Sequence, residues 1–303
     1  MPPKKPQLSF RPDSTFTIVQ FTDTHIADGE ENDQQTLSLM AAVLDTEQPD
    51  LVVFTGDVID GRIAKDPAYA YSLAMQSLVE RQIKWATVFG NHDDEHNLPK
   101  TELLELQQKI PYCCTQAGPV SLPGVGNYSL QIRSMHSGKI AASLYFIDSH
   151  SYAEASVGGY DWVKDAQIRW LSKGLKQLHS DRATQLVPAL LFLHIPLQEY
   201  EEIWQSGDCR GSKNESICCP RLNTGLFAAL KLSGRVLGVF AGHDHTNDFS
   251  GELHGIQLCY GRASGYNTYG KEGFQRGARI IQLREGQRGF TSWIRLHDGQ
   301  KVL

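Results

Sequence analysis

Cysteine never recurs at C-x-x-C spacing in these 303 residues. Cys113, Cys114, Cys209, Cys218, Cys219 and Cys259 stand adjacent or far apart, which argues against a zinc knuckle or a dithiol redox centre. Long apolar runs are missing as well. Nowhere do about 18 apolar residues follow one another. The basic start, MPPKKPQLSF, lacks the apolar segment of roughly 7 to 15 residues that follows it in a secretory signal. The chain therefore reads as unexported and not bound to a membrane, and a cytoplasmic location is expected. Positive charge is in short supply: 29 Lys and Arg against 34 Asp and Glu leave a net charge of −5, with no long run of either sign. That excludes the basic stripe of a nucleic-acid binder and points to a small partner.

What the chain has in quantity is core. With 41% hydrophobic and 21% charged residues it is ordinary globular material, and no linker divides it, so one domain over 1–303 is expected. Strand-length apolar runs alternate with helical periods at first: TFTIVQF (15–21), a helix over 34–44, DLVVFTG (50–56), a helix over 68–82, and KWATVFG (84–90). Such alternation predicts parallel strands joined by crossover helices. Segments 127–134 and 139–148 are close enough to pair antiparallel. A helix over 165–178 and a buried strand over 186–196 follow. Residues 199–222 show little period and read as a long surface excursion.

The strand ends carry the chemistry. The first runs into Asp23 and His25, the second into Asp57 and Asp60, and the third into Asn91, His92 and Asp93; LLFLHIP ends at His194, and GVFAGHDH at His243 and His245. Each block alone is what a turn would use, since Gly, Asn and Asp favour turns. Turns do not call for Asp or His at five strand ends, however. Ligands gather at the carboxyl ends of strands in an open α/β sheet. His243 and His245, two apart on an extended segment, present both rings to one side. Carboxylates, imidazoles and an amide without thiolate outline a dinuclear site for Mn, Fe, Zn or Ni, in which one carboxylate bridges two cations.

The pattern D-x-H, G-D-x-x-D, G-N-H-D, H and G-H-x-H resembles the calcineurin-like metallophosphoesterase superfamily, with all motifs in order between residues 17 and 245. The carboxyl-terminal third is similar to the subgroup of plant purple-acid-phosphatase-like proteins and fungal cell-cycle phosphatases. The resemblance implies an α/β fold, a two-sheet β-sandwich of mixed strands flanked by helices. It implies that Asp23, His25 and His245 hold one divalent or trivalent metal ion, that Asn91, His194 and His243 hold a second, and that Asp57 bridges them. His92 becomes the catalytic imidazole, held and kept protonated by Asp93. The expected reaction is hydrolysis of a phosphomonoester, on a small molecule or a phosphoprotein, by attack of a metal-bridging hydroxide. A cyclic-nucleotide type of phosphodiesterase shares these motifs, and a non-catalytic scaffold on the same fold is the reading from another class. Purple acid phosphatases carry a tyrosine where this chain has Asp60, so no purple colour is expected.

Further out, His150, Arg262, Arg276, Tyr266 and Tyr269 are candidates for the substrate pocket, because Arg grips phosphate oxygens in pairs and Tyr stacks or donates. The subgroup's cysteines match Cys209, Cys219 and Cys259, which leaves open a bridge from Cys209 to Cys219 or Cys218, a pairing that a cytoplasmic location does not support.

Overall fold

The computed structural model describes residues 7–95, 98–178 and 187–303. The first part of the chain forms β1 (Leu8–Ser9), β2 (Thr15–Phe21), α1 (Glu31–Glu47), β3 (Leu51–Thr55), α2 (Pro67–Glu80), β4 (Trp85–Val88) and α3 (Lys100–Lys109). The middle forms β5 (Tyr128–Arg133), β6 (Ile140–Phe146), α4 (Asp165–Gln177), β7 (Ala189–Phe192), α5 (Glu199–Ser206), α6 (Leu226–Ser233) and β8 (Val236–Ala241). Strands β9 (Ser250–Leu253), β10 (Ile256–Tyr260), β11 (Gly277–Arg284), β12 (Phe290–Leu296) and β13 (Lys301–Val302) complete it.

Two mixed sheets result, in the orders β1-β5-β6-β7-β8-β10-β9 and β13-β12-β11-β2-β3-β4. As the spacing predicts, β2, β3 and β4 are parallel neighbours, and β5 and β6 pair antiparallel. Successive side chains of a strand face opposite ways, so a strand buried on both faces serves two cores. In β2, Phe16 and Ile18 enter a core between the sheets, while Val19 and Phe21 pack with α1 and α2. On the other sheet, Leu190 and Phe192 face the shared core, and Ala189 and Leu191 face α4 and α6. The result is a sandwich with helices on both outer faces.

Aromatic rings fill much of the space between the sheets. Tyr128, Phe146, Phe192 and Phe240 sit opposite one another on β5, β6, β7 and β8, with stacked centroids 4.4, 5.3 and 5.1 Å apart. One polar side chain also lies there. Gln20 is fully buried, and its amide donates to Thr55 Oγ1 (2.8 Å) on its own sheet and to the Ala241 carbonyl (3.1 Å) on the other. A buried amide must find partners or cost stability, so Gln20 fixes how β2 and β8 lie across from each other. That alignment brings the ends of both strands to one edge.

The excursion at 199–222 is more ordered than its sequence texture suggests. It begins with α5, and the rest is sewn to the segment that leads from β8 into β9 by isolated bridges Arg210–Ser250 and Lys213–Asn247. Asp248 accepts the Ser212 amide (2.7 Å), Asn247 that of Asn214 (2.8 Å), and Asp244 that of Cys218 (3.2 Å). These partners lie about thirty residues away, which is why no local period announces them. All six cysteines are free. Cys209 donates to the Ile203 carbonyl (3.1 Å), whereas Cys218 lies against Ser216 (3.6 Å), and neither of the two pairings left open is formed.

Candidate metal centre

Five strands deliver side chains to this edge: β2 leads to Asp23 and His25, β3 to Asp57, β4 to Asn91 and His92, β7 to His194, and β8 to His243 and His245. The backbone turns sharply after three of them, β2, β3 and β8. Asp23, His25, Asp57 and His243 have φ of 52°, 45°, 49° and 77°, a left-handed region uncommon for residues with a Cβ. Backbone strain concentrated in this way is typical of functional sites. Two glycines make the crowding possible: a Cβ on Gly56 would lie 2.4 Å from His194 Nδ1, and one on Gly90 would lie 2.1 Å from Asp57 Oδ1.

The side chains fall into two groups. Asp23, His25, Asp57 and His245 place donor atoms within 4.8 Å of one another, as do Asp57, His194 and His243. Asp57 belongs to both. Its Oδ1 accepts the His92 amide (2.8 Å), while Oδ2 lies 3.2 Å from His194 Nε2 and 3.7 Å from His25 Nε2. Asn91 joins the second group, with Oδ1 3.0 Å from His194 Nε2. His25 Nε2, His243 Nε2 and Asp57 Oδ2 are buried without a hydrogen-bond partner. An orphaned polar atom of this kind costs about 1–3 kcal/mol, which a bound cation would offset. The donor set therefore fits a pair of metal ions.

Ring orientation is fixed from behind. His194 Nδ1 meets the Thr55 carbonyl at 2.8 Å, His245 Nδ1 meets Thr268 Oγ1 at 2.5 Å, and His25 Nδ1 meets Asp60 Oδ2 at 3.3 Å. Each contact leaves Nε2 facing the cluster, the arrangement by which outer partners aim metal-binding imidazoles. Asp60 is buried, not facing solvent, and is also gripped by Arg62 through Nε (3.0 Å) and Nη2 (2.7 Å). The charges are strongly coupled. Burial works upward on Asp23, yet the hydrogen bond and charge of His245 hold it down at about 2. Burial is likewise overcome in His194, which Asp57 raises to about 9, whereas burial and the His194 charge push His243 down to about 3. Two ionised carboxylates and a proton-seeking imidazole describe a centre built to receive positive charge.

The catalytic pair expected from GNHD is rearranged. His92 Nδ1 meets Glu95 Oε2 at 2.5 Å, and no described contact joins its ring to Asp93. Asp93 is buried among backbone amides, accepting those of Asp57 (3.0 Å), Val58 (2.9 Å), Ile59 (3.2 Å) and Gly90 (2.7 Å), with the Tyr71 hydroxyl at 3.2 Å. Burial and the Asp57 charge raise it to about 6, against the pull of those amides. It ties the loop after β3 to the loop after β4. Asp93→Ala would leave four amides unpartnered, and a loss of about 3–5 kcal/mol in unfolding free energy is expected by denaturant titration. Unchanged stability with reduced kcat would return Asp93 to the catalytic pair.

The outer residues divide. Arg262 is spent on Asp248 (2.6 Å) and the Gln275 carbonyl (2.6 Å), with its guanidinium 3.2 Å over the Phe274 ring. Arg276 donates to the carbonyls of His245 (3.3 Å) and Tyr269 (2.7 Å). Both arginines are buried, with these donors engaged by the loop itself. Tyr266 bonds His297 (2.6 Å) and His150 bonds Gln167 (2.9 Å), so their polar atoms are engaged away from the cluster. Only Tyr269 stands at the centre, its ring 4.3 Å from that of His245. Missed by the sequence reading were Glu95, Tyr152, whose hydroxyl takes the Asn91 amide (3.2 Å), and Tyr160, edge-on to His243 at 4.3 Å. These tyrosines lie in a loop without period, and nothing in its sequence marks them.

Known proteins agree with this architecture. A profile described as calcineurin-like phosphoesterase matches residues 16–247. Probable inactive purple acid phosphatase 14 of Arabidopsis thaliana is 33% identical over 95% of this chain and 80% of its own length. Phosphatase DCR2 of Saccharomyces cerevisiae is 34% identical over 95% of this chain, which spans 55% of that protein. Among solved structures, a dimetal phosphatase from Danio rerio shares the fold, with a TM-score of 0.60, 18% identity, and coverage of 91% of this chain and 98% of that one. The motifs, the sandwich and these matches place the chain in the calcineurin-like phosphoesterase family.

Proposed function

We propose that the protein hydrolyses phosphomonoesters, on a small molecule or a phosphoprotein, using two bound cations drawn from Mn, Fe, Zn or Ni. Asp23, His25 and His245 hold the first, Asn91, His194 and His243 the second, and Asp57 both. The observation that carries this reading is Asp57 Oδ2, buried without a hydrogen bond and lying between His194 Nε2 (3.2 Å) and His25 Nε2 (3.7 Å), one from each donor group. When bound, the cations supply Lewis acidity and an activated water for in-line attack at phosphorus. The residues contribute the rest. Asp23 and Asp57 bring two negative charges and the imidazoles and amide none, so a divalent pair keeps a positive excess that attracts phosphate. His92, half-buried beside ligand Asn91 and held through Nδ1 by Glu95, keeps Nε2 for a proton to the leaving oxygen.

The name of the Arabidopsis relative marks that protein as a probable inactive phosphatase; this chain carries all seven candidate ligands and His92. Turnover is the deciding measurement. Protein loaded with each metal in turn is assayed on nitrophenyl phosphate, bis-nitrophenyl phosphate and cyclic AMP, with metal content measured in parallel. Two cations and a preference for the monoester are expected. Preference for the diesters would make the protein a phosphodiesterase, and two bound cations with no turnover would make it a scaffold.

A further inference from the structure

Two exposed aromatic rings flank the donor atoms, one beside each group. Tyr152 is 52% exposed and stacks on Tyr160 (centroids 5.8 Å apart, 26° between planes), which in turn stands edge-on to His243. Tyr269 is 55% exposed, with its ring tilted against His245. Neither hydroxyl is free to rotate. That of Tyr152 donates to Glu95 Oε1 (3.1 Å) while receiving the Asn91 amide, and that of Tyr269 donates to Glu215 Oε2 (2.6 Å). Tyr152 and Tyr160 are also joined by a backbone bridge, and Glu215 is held by the Thr246 hydroxyl at 2.9 Å. Rings pinned at the hydroxyl and open on the face are preorganised stacking surfaces, because little side-chain entropy remains to be lost.

Charge narrows the ligand further. The carboxylates of Glu95 and Glu215 sit at the hydroxyl ends of these rings, and Arg62 beside Glu95 is already shared between Asp60 (2.7 Å) and Glu95 (3.6 Å). A second phosphate on the substrate would meet acidic groups there, where Arg62 is already paired with carboxylates.

We infer that the site selects phosphomonoesters whose alcohol carries a planar aromatic or heteroaromatic group and no further phosphate, with that group stacking on Tyr152 or Tyr269. The inference rests on the phosphomonoester reading above.

Two substrates with matched leaving groups test it. 2-(2-Naphthyl)ethyl phosphate and 2-(2-decahydronaphthyl)ethyl phosphate both release a primary alkoxide with no ring on the carbinol carbon and carry bicyclic groups of similar size, so their ratio of kcat/KM reports recognition of the planar ring, not leaving-group acidity. A ratio on the order of tenfold in favour of the naphthyl ester is expected, from the usual strength of stacking on an aromatic side chain. Tyr152→Leu and Tyr269→Leu should move the ratio toward unity, while Tyr269→Phe, which keeps the face, should retain it. The corresponding phosphonates, titrated by calorimetry into metal-loaded protein, read the same preference without turnover. A preference in phosphonate binding with no hydrolysis would sink the catalytic reading and keep this one. Equal affinity for the two phosphonates, or a ratio unmoved in both leucine variants, would overturn the inference.

Discussion

Asp57→Asn is expected to leave the protein with at most one metal ion per chain and no measurable monoesterase activity. Asp57 is the residue common to both donor groups, and its orphaned Oδ2 is the atom aimed at both. An amide in its place keeps the shape and loses the charge that two cations would share. Elemental analysis of the variant checks this, and two full equivalents of metal would refute the bridging assignment. Asp60→Asn makes the contrast. Asp60 touches His25 from behind, so its loss should weaken metal affinity about 10- to 100-fold, in the range found for outer partners of metal-binding histidines, without abolishing occupancy.

His92→Ala should keep both metals and lose about 10² to 10⁴ in kcat on an ester of a basic alcohol, because proton donation matters most when the departing alkoxide is a strong base. With nitrophenyl phosphate, whose anion leaves unaided, the loss should be smaller. The structure adds Glu95 to the test. Glu95→Gln removes the charge at His92 Nδ1 and should show the same dependence on leaving group in weaker form. Equal losses on both substrates would mean that His92 steadies the phosphoryl oxygens and donates no proton. Loss of metal would make it a ligand.

Sequence and structure agree best where chemistry sits at the end of an apolar run. Asp23, Asp57, Asn91, His194 and His243 each follow a buried strand within a few residues, so the pleat and the parallel pairing carry them to one edge. Agreement ends where a side chain's role depends on what another loop offers it. Arg262 has the chemistry of a phosphate clamp, but Asp248 takes its charge, and no spacing rule foretells that. Asp93 is adjacent to His92 yet faces the amides after β3, and Glu95 reaches the ring by a turn of three residues. Asp60 reads as a turn residue until His25 and Arg62 are seen on it. Backbone pattern reports where a residue is carried; only the partners decide its work.

The Asp23 carboxylate also accepts the amide of His243, 220 residues further along (3.1 Å), and this junction bears on how the chain folds. Closing so long a loop is slow, since its entropy is lost before the contact rewards it. The first donor group needs His245 from the far end of that loop, so it cannot assemble until both sheets have met through Gln20 and the contact of Phe240 on β8 with Phe290 on β12. Metal ions that bind only this closed form add to the native state by mass action and contribute nothing to its nucleus. They act as a latch: refolding should run at nearly the same rate with or without them, while unfolding slows in their presence.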